Sequence, residues 1–346
     1  MQIGYQGYSS DLSHPADRRR MGFWSRERNI PLLHDSSTKL DFMVFTSKSD
    51  MEFAVKYKGG YKVLDLIDGY IASDGAISDI GRGYAKNLFG QTSGTPRRYS
   101  SSVQRACRNV DLVICSSPEQ AELVSVHNKN VKVILDSHHE FLNAIENENS
   151  NNCAEGAIFW EGQTATLHAL NQISDSLIKV KDQKKFSLNL ITDENHKLLM
   201  NKYFTIKSGQ RIPTLTRAFG ESIKLYPWSK EAVIEIANRS TLGIVPVDIR
   251  SNIQRLKPEN RILILWLLGV PCLASDTPSH RRIANEINLD FICKNSDEWR
   301  EKLFLYLTDP EIRENQVLAG KRYLADFHNK EIILSKWDAV FNLGCQ

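Results

Sequence analysis

Lys257-Pro258-Glu259-Asn260-Arg261 opens the longest apolar run of the chain, Ile262 to Leu268, and sets two cations at the start of a predicted helix. The first N–H groups of a helix have no partner within it, so such an end attracts phosphate. Pro258 suits the first turn, where a missing N–H costs nothing. Lys257 and Arg261 could then grip a diphosphate, the guanidinium in two-pronged fashion. A basic helix start on the surface fits the same five residues. A second group, Asp136-Ser137-His138-His139-Glu140, gathers two imidazoles and two carboxylates. It could contact sugar or phosphate, act as acid or base, or serve as a plain hinge. Alternate residues of an extended chain point to opposite sides, so His138, His139 and Glu140 do not converge easily, and no metal site is expected. Asp68 follows the apolar run of a predicted strand, Tyr61 to Ile67, which places it where α/β folds open their crevices. A loop aspartate capping Gly69-Tyr70 is the alternative.

These residues need elements to position them. Short apolar runs alternate with helical patterns from end to end, which predicts an α/β class with parallel sheets. In the first half the strands are Met1 to Tyr5, Phe42 to Thr46, Tyr61 to Ile67, Leu112 to Ser116 and Val131 to Leu135. Helices fall near Arg18 to Arg28, Met51 to Tyr57, Ser100 to Asn109 and Pro118 to His127, the last with a serine cap before Pro118. The loop Gly4 to Asp17, with Asp11 and His14, has the composition of a substrate loop, and Asp74 to Gly94, rich in Gly and Ser, that of a mobile flap. Asn143 to Glu155 is polar and reads as a linker. After it strands recur at Gly156 to Trp160, Ser187 to Thr192, Ile223 to Tyr226, Leu242 to Val247, Pro271 to Ala274 and Phe291 to Cys293. The intervening helices are Thr164 to Lys179, Lys230 to Asn238, Pro258 to Leu268, Pro278 to Asn285 and Ser296 to Thr308, and one long helical run closes the chain from Glu311 to about Phe341.

A chain of 346 residues calls for two cores. The expected division is 1–142 as a first domain, 143–155 as linker, 156–325 as a second domain, and 326–346 as a helix that could cross back to the first. With 41% hydrophobic and 25% charged residues the composition is that of a globular protein. The seven-residue run Ile262 to Leu268 is too short to span a bilayer, and the N-terminus lacks a signal-like apolar core. Six cysteines without a CxxC pair point to a reduced, cytoplasmic protein without structural zinc. A net charge of +3 gives no argument for nucleic acid. Arg18, Arg19, Arg20, Arg26 and Arg28 nonetheless crowd one segment, which suits a solvated helix face or contact with an anionic substrate or membrane surface.

The segment from Lys257 through Leu268-Gly269-Val270-Pro271-Cys272-Leu273-Ala274-Ser275 resembles the donor-binding signature of family 4 glycosyltransferases of the GT-B fold. In that signature a basic residue opens a helix that ends in a G-x-P turn and a strand, and Arg261 falls at the phosphate-binding cation. Ile223 to Trp228 and Ala237 to Val247 are similar to the stretch that precedes it in the family, and Ala157 to Gly162 to the opening of the donor domain. Val63 to Asp68, Asn109 to Ser117 and Asn130 to Leu135 are similar, in order, to the acceptor domain of a subgroup.

The resemblance implies two Rossmann-like domains facing each other across a cleft. It implies transfer of a sugar from a nucleotide-diphosphate donor to a glycan or lipid-linked glycan, as in cell-surface polysaccharide synthesis at the inner face of a membrane, with no cofactor required. It also implies donor contacts from Gly162, Trp228, Lys257, Asn260 and Arg261, and an acidic acceptor-side residue at Asp68. His138 and Glu140 stand where the family has its hinge. The carboxylate that holds the donor ribose in the family is absent, because its position is Ile264. Glu259 is the nearest substitute. That departure keeps two other readings open, an inactive sugar- or nucleotide-binding subunit and a sugar-nucleotide epimerase of the same fold.

Overall fold

Strands of a parallel sheet covered on both faces are apolar along their length, and Leu112–Cys115 and Leu242–Val245 are buried at every residue. The structure, a computed structural model, describes residues 1–34, 39–73, 75–141, 156–193, 195–198 and 204–342. The predicted linker at 143–155 lies outside the described residues. The chain divides into two compact units. Unit 1 comprises Met1–Ser137, Arg250–Pro258 and His328–Gln346, and unit 2 comprises His138–Ile249 and Glu259–Phe327. Each unit holds a six-stranded parallel sheet.

In unit 1, β1 (Ile3–Gln6), β2 (Leu32–Leu33), β3 (Phe42–Thr46), β4 (Tyr61–Leu66), β5 (Leu112–Cys115) and β6 (Val131–Val133) lie in the order β2-β1-β3-β4-β5-β6. Successive residues face opposite sides: Phe45, Leu64, Leu66 and Cys115 build one core, Val44, Val63 and Ile114 the other. The second core is closed by Trp24 and by Ile333, Leu334, Trp337 and Phe341 of the last helix and its end. The long closing run is broken at His328-Asn329, where Asn329 caps Lys330–Asp338 as a separate helix.

The basic crowd of residues 18–28 is mostly engaged within unit 1. Arg20 is wholly buried, and Arg28 donates to Asp338 at 2.7 Å. Arg18 and Arg26 donate to the carbonyls of Ser13 and Arg18. Arg20 thus leaves the predicted solvated face for the core, while Arg26 stays exposed on it.

Between β4 and α5 (Tyr99–Asn109) runs α4 (Ala76–Leu88), where a flap was expected. Ile77, Ile80, Tyr84 and Leu88 recur at helical spacing, and this outweighs the glycines at 81 and 83. At about 100° per residue these four form one stripe, and they face outward, Ile77 and Leu88 being 88% and 82% exposed. The opposite face meets the unit. There Asp79, buried, accepts from the backbone and hydroxyl of Ser100, and Gly83 lies so close to the Arg97 carbonyl that a Cβ would sit 1.7 Å from it.

In unit 2, β7 (Ala157–Glu161), β8 (Ser187–Thr192), β11 (Ile223–Pro227), β12 (Leu242–Val245), β13 (Cys272–Ser275) and β14 (Ile292–Cys293) run in the order β11-β8-β7-β12-β13-β14. An antiparallel pair, β9 (Asn195–Leu198) and β10 (Phe204–Lys207), was not predicted; its sequence shows no clean alternation. The helix Asn260–Leu267 ends as Gly269 and Pro271 suggest. Gly269 adopts φ 74°, its N–H reaches Trp266 O at 3.0 Å, and the Val270 N–H reaches Leu265 O at 2.8 Å, which closes the carbonyl end and starts β13. Four described cysteines, Cys107, Cys115, Cys272 and Cys293, are unpaired and buried.

Candidate functional site

Open parallel sheets bind ligands outside the carboxyl ends of their strands, where the strand order reverses. In unit 2 the reversal lies between β7 and β12, so the segments after Glu161 and after Val245 flank it. Gly162 follows Glu161 directly, and a Cβ there would meet the Trp160 ring at 2.9 Å and the Thr166 hydroxyl at 3.2 Å. Only glycine fits that approach. The Glu161 carboxylate accepts from Trp228 Nε1 at 2.8 Å, tying the end of β7 to the loop after β11. Glu161 also acts electrostatically on Arg261. Gly162, Trp228 and Arg261 thus share a neighbourhood through a residue that the sequence reading passed over. The available signal was a carboxylate directly after the buried run Ala157 to Trp160.

Arg261 is the second residue of its helix and is half-buried, with Nη1 enclosed and without a hydrogen-bond partner. Burial lowers its pKa, and the charge of Glu161 opposes this without reversing it. Arg261 is therefore not the freely solvated cation of a surface helix start. No side chain caps the helix, and its N-cap is Glu259 rather than a proline in the first turn. Pro258 falls outside because it precedes that cap. The Glu259 carboxylate is 1% exposed and receives Arg282 at 2.7 Å. Ile264, at the family's ribose position, is part of the core. Asn260, half-buried, is the first helical residue. A further pair, His168 Nε2 and Asp248 at 3.6 Å, joins the segments after β7 and β12.

His138 begins unit 2, is 5% exposed, and is followed by a single turn, His139–Phe141, in which Glu140 is half-buried. Among the described residues no three of His, Cys, Asp and Glu are arranged to hold a metal ion.

In unit 1 the reversal lies between β1 and β3. The loop after β1 is organised by Asp17, whose carboxylate accepts from Tyr5 Oη at 2.6 Å and from the backbone of Tyr8 and Ser9, each at 2.9 Å. His14 caps α1 (Pro15–Arg18) through Nδ1 and stacks on Tyr8 at 4.9 Å. The Tyr8 hydroxyl meets the Ser47 hydroxyl from the loop after β3. Asp68 lies after β4, about a quarter exposed, with Lys257 Nζ at 3.9 Å. Its charge helps to raise the pKa values of Tyr8, Tyr70 and Tyr99, although burial is the larger cause in each, and Tyr70 is pushed up to about 12. Lys257 therefore belongs with Asp68 in unit 1, while Arg261 belongs to unit 2; Asn252, in the same segment as Lys257, donates to Ser73 O at 2.8 Å.

Two six-stranded parallel sheets in this connectivity define the architecture of GT-B glycosyltransferases, and the chain has that fold. Among solved structures, Anabaena HepE in complex with UDP-glucose superposes with a TM-score of 0.66 at 11% identity, covering 99% of this chain and 100% of that one. TarM gives 0.62 at 10% identity over 87% of this chain and 54% of its own, so the chain spans about half of TarM's length. WaaG, a glycosyltransferase involved in lipopolysaccharide biosynthesis, gives 0.59 at 11% identity, covering 100% of this chain and 86% of that one. No protein-family model and no curated protein matches the sequence. Among the described residues no helix is long and apolar enough to cross a membrane.

Proposed function

We propose that the protein is a glycosyltransferase that takes a sugar from a nucleotide-diphosphate donor. The observation that carries this reading is Arg261, a helix-start guanidinium whose enclosed Nη1 lacks a partner beside Gly162, Glu161 and Trp228. A buried donor left unsatisfied costs about 1–3 kcal/mol, and a diphosphate oxygen would satisfy it. The uncapped helix end adds N–H groups to the same anion. Gly162 lets the donor approach the backbone, and Trp228 offers a flat face to the base. Transfer requires that the departing diphosphate be stabilised and the acceptor hydroxyl be oriented and relieved of its proton. Asp68, partly exposed at the carboxyl end of β4, suits the last role. Glu140 is the more accessible partner for a sugar hydroxyl, and His138 would act by holding that turn.

UDP and UDP-glucose occur in the HepE structures, so UDP-sugars are the first donors to try. Saturating UDP at a hundredfold over its Kd should stabilise the protein by about 2.7 kcal/mol, readable as a rise in Tm. A panel of UDP, GDP, ADP, CMP and dTDP sugars tests the proposal. Absence of a shift with every nucleotide overturns it, and binding without transfer or hydrolysis supports a binding subunit instead.

The acceptor we propose is a glycan or lipid-linked glycan used at a membrane surface, in a protein of the cytoplasmic side. The outward stripe of α4 supports this, because residues 75–98 carry Arg82, Lys86, Arg97 and Arg98 against the single acid Asp79, which is buried. An exposed apolar helix face with a basic surround suits anionic lipid. Ile77→Ser with Leu88→Ser should abolish flotation with vesicles containing phosphatidylglycerol and leave the Tm within about 1 °C, since neither side chain is packed. Unchanged flotation would remove the membrane from the proposal.

A further inference from the structure

Three cations meet at the strand reversal of unit 1, and the proposed donor chemistry uses none of them. Lys86, on the inner face of α4, directs Nζ to the Ser47 carbonyl at 3.3 Å and lies 4.0 Å from the centre of the Tyr99 ring. Lys48 is the next residue after Ser47, and Arg82 is one turn before Lys86 on the same helix, with its guanidinium 5.2 Å from the Tyr70 ring. Among the described residues no carboxylate lies within ion-pair distance of Lys48, Arg82 or Lys86, whereas neighbouring Glu52 is taken by Arg105 at 2.6 Å and by Arg97 at 3.9 Å. Asp68, whose charge acts on Tyr70 and Tyr99, is matched by Lys257 at 3.9 Å. Like charges held together without counter-charge raise the free energy of the fold, unless an anion joins them.

The cluster is also built rather than incidental. Tyr99 Oη donates to Ser47 O at 2.5 Å, and the Tyr8 and Ser47 hydroxyls are bonded, so the loops after β1 and β3 and the start of α5 fix the carbonyl that Lys86 reaches. These loops flank the place where an open parallel sheet receives its ligand.

We infer that Lys48, Arg82 and Lys86 form a subsite for a phosphate group on the acceptor. This rests on the proposed transferase reading and narrows its acceptor to a phosphate-bearing molecule. Tyr8 and Tyr70, both half-buried, would stack on or bond to the part next to the phosphate, near Asp68. Burial first, then Lys48 and Arg82, push Lys86 down to about 8. A bound phosphate would restore its charge. Phosphate affinity should therefore fall as pH rises through that value, and fall again below about pH 6 where the phosphate itself takes up a proton, with Tyr70 and Tyr99 uncharged throughout because burial raises both.

The test is line broadening of methyl phosphate in phosphorus NMR, with saturating UDP present to occupy any donor site. The unmodified protein should broaden the signal. Lys86→Gln should weaken binding by about tenfold, the loss of one charged contact, and Lys86→Arg should restore it. Hydrolysis of UDP-glucose without acceptor should be equal in all three. Vesicles of phosphatidylcholine with and without phosphatidylglycerol form a second arm, in which competition with methyl phosphate only by the anionic vesicles assigns the phosphate to a lipid headgroup. Equal broadening by Lys86→Gln, or none by any protein, overturns the subsite. Loss of UDP-glucose hydrolysis in every protein with the Lys86 effect intact overturns the transferase reading alone.

Discussion

Arg261→Met should lower transfer, or acceptor-free donor hydrolysis, by a hundredfold or more while leaving the protein as stable as before. The two halves of this expectation have separate causes. A positioned donor to developing charge in an enclosed site contributes about 3–4 kcal/mol to the transition state, which is roughly 10²–10³ in rate. Stability follows a different balance. Glu161 attracts the guanidinium, but burial still lowers its pKa, so desolvation outweighs the attraction. Removing the charge then relieves a penalty of about 1–3 kcal/mol for the enclosed Nη1 and gives up the attraction. Methionine fills much of the same volume with a flexible chain, so a cavity is avoided. The net change should lie between no effect and a gain of about 1 kcal/mol, a rise of roughly 2–4 °C at most. Glu161 keeps Trp228 Nε1 as a partner and is not stranded. Thermal melts with and without UDP, alongside turnover, check both halves. Turnover with an undiminished UDP shift would show that Arg261 does not touch the diphosphate.

The residues that could be read from the sequence are those whose neighbours along the chain determine their state. Ser117 caps Pro118–Ser125 by accepting from Gln120 N, as Ser-Pro at a helix start suggests. Leu268-Gly269-Val270-Pro271 ends one helix and begins one strand because Gly alone tolerates the left-handed turn and Pro cannot continue the helix. Phe42–Thr46, Ser187–Thr192 and Lys230–Asn238 fall where the apolar periodicity puts them.

What escaped the sequence depends on partners far along the chain. Arg20 looked like one of five surface arginines, yet its carboxylates are 45 and 116 residues away. Glu259 looked available to a ribose, but Arg282, on a later helix, claims it. Lys257 and Arg261 are four residues apart and were read as one grip, although the division between the units falls between them. For α4 the apolar spacing was present, and what misled was composition: two glycines and several serines suggest a loop, while the helix survives by bonding its polar face inward through Asp79 and Ser100.

Arg20 carries the largest stability effect we expect. Its Nε and Nη2 donate to both oxygens of Asp65 at 2.6–3.1 Å, and its Nη1 donates to Asp136 Oδ1 at 2.9 Å and to Ile134 O at 2.6 Å. All of this lies under the ring of Trp337, 5.7 Å away, in the second core of unit 1. The three charges join β4, the segment after β6 and the start of α2 (Met21–Arg28), so the bonds tie together elements distant in sequence. Arg20→Ala would take from the buried Asp65 and Asp136 carboxylates the guanidinium that binds them both. Breaking such a pair from one side costs about 3–5 kcal/mol, a large share of the 5–15 kcal/mol that holds a typical domain. Burial already holds the Asp65 pKa above its unfolded value and Arg20 opposes this, so without Arg20 the folded-state value rises further. The folded variant then binds more protons than the unfolded chain between those values, so its stability falls as pH rises through that window and recovers as pH is lowered. Urea unfolding of Arg20→Ala against the unmodified protein should show the deficit at neutral pH and a smaller one near pH 5. A deficit that is independent of pH would mean that lost packing against Trp337, rather than the stranded carboxylates, sets the cost. In that case Asp65→Asn in the Arg20→Ala background would restore nothing, whereas the stranded-charge account requires it to recover part of the loss.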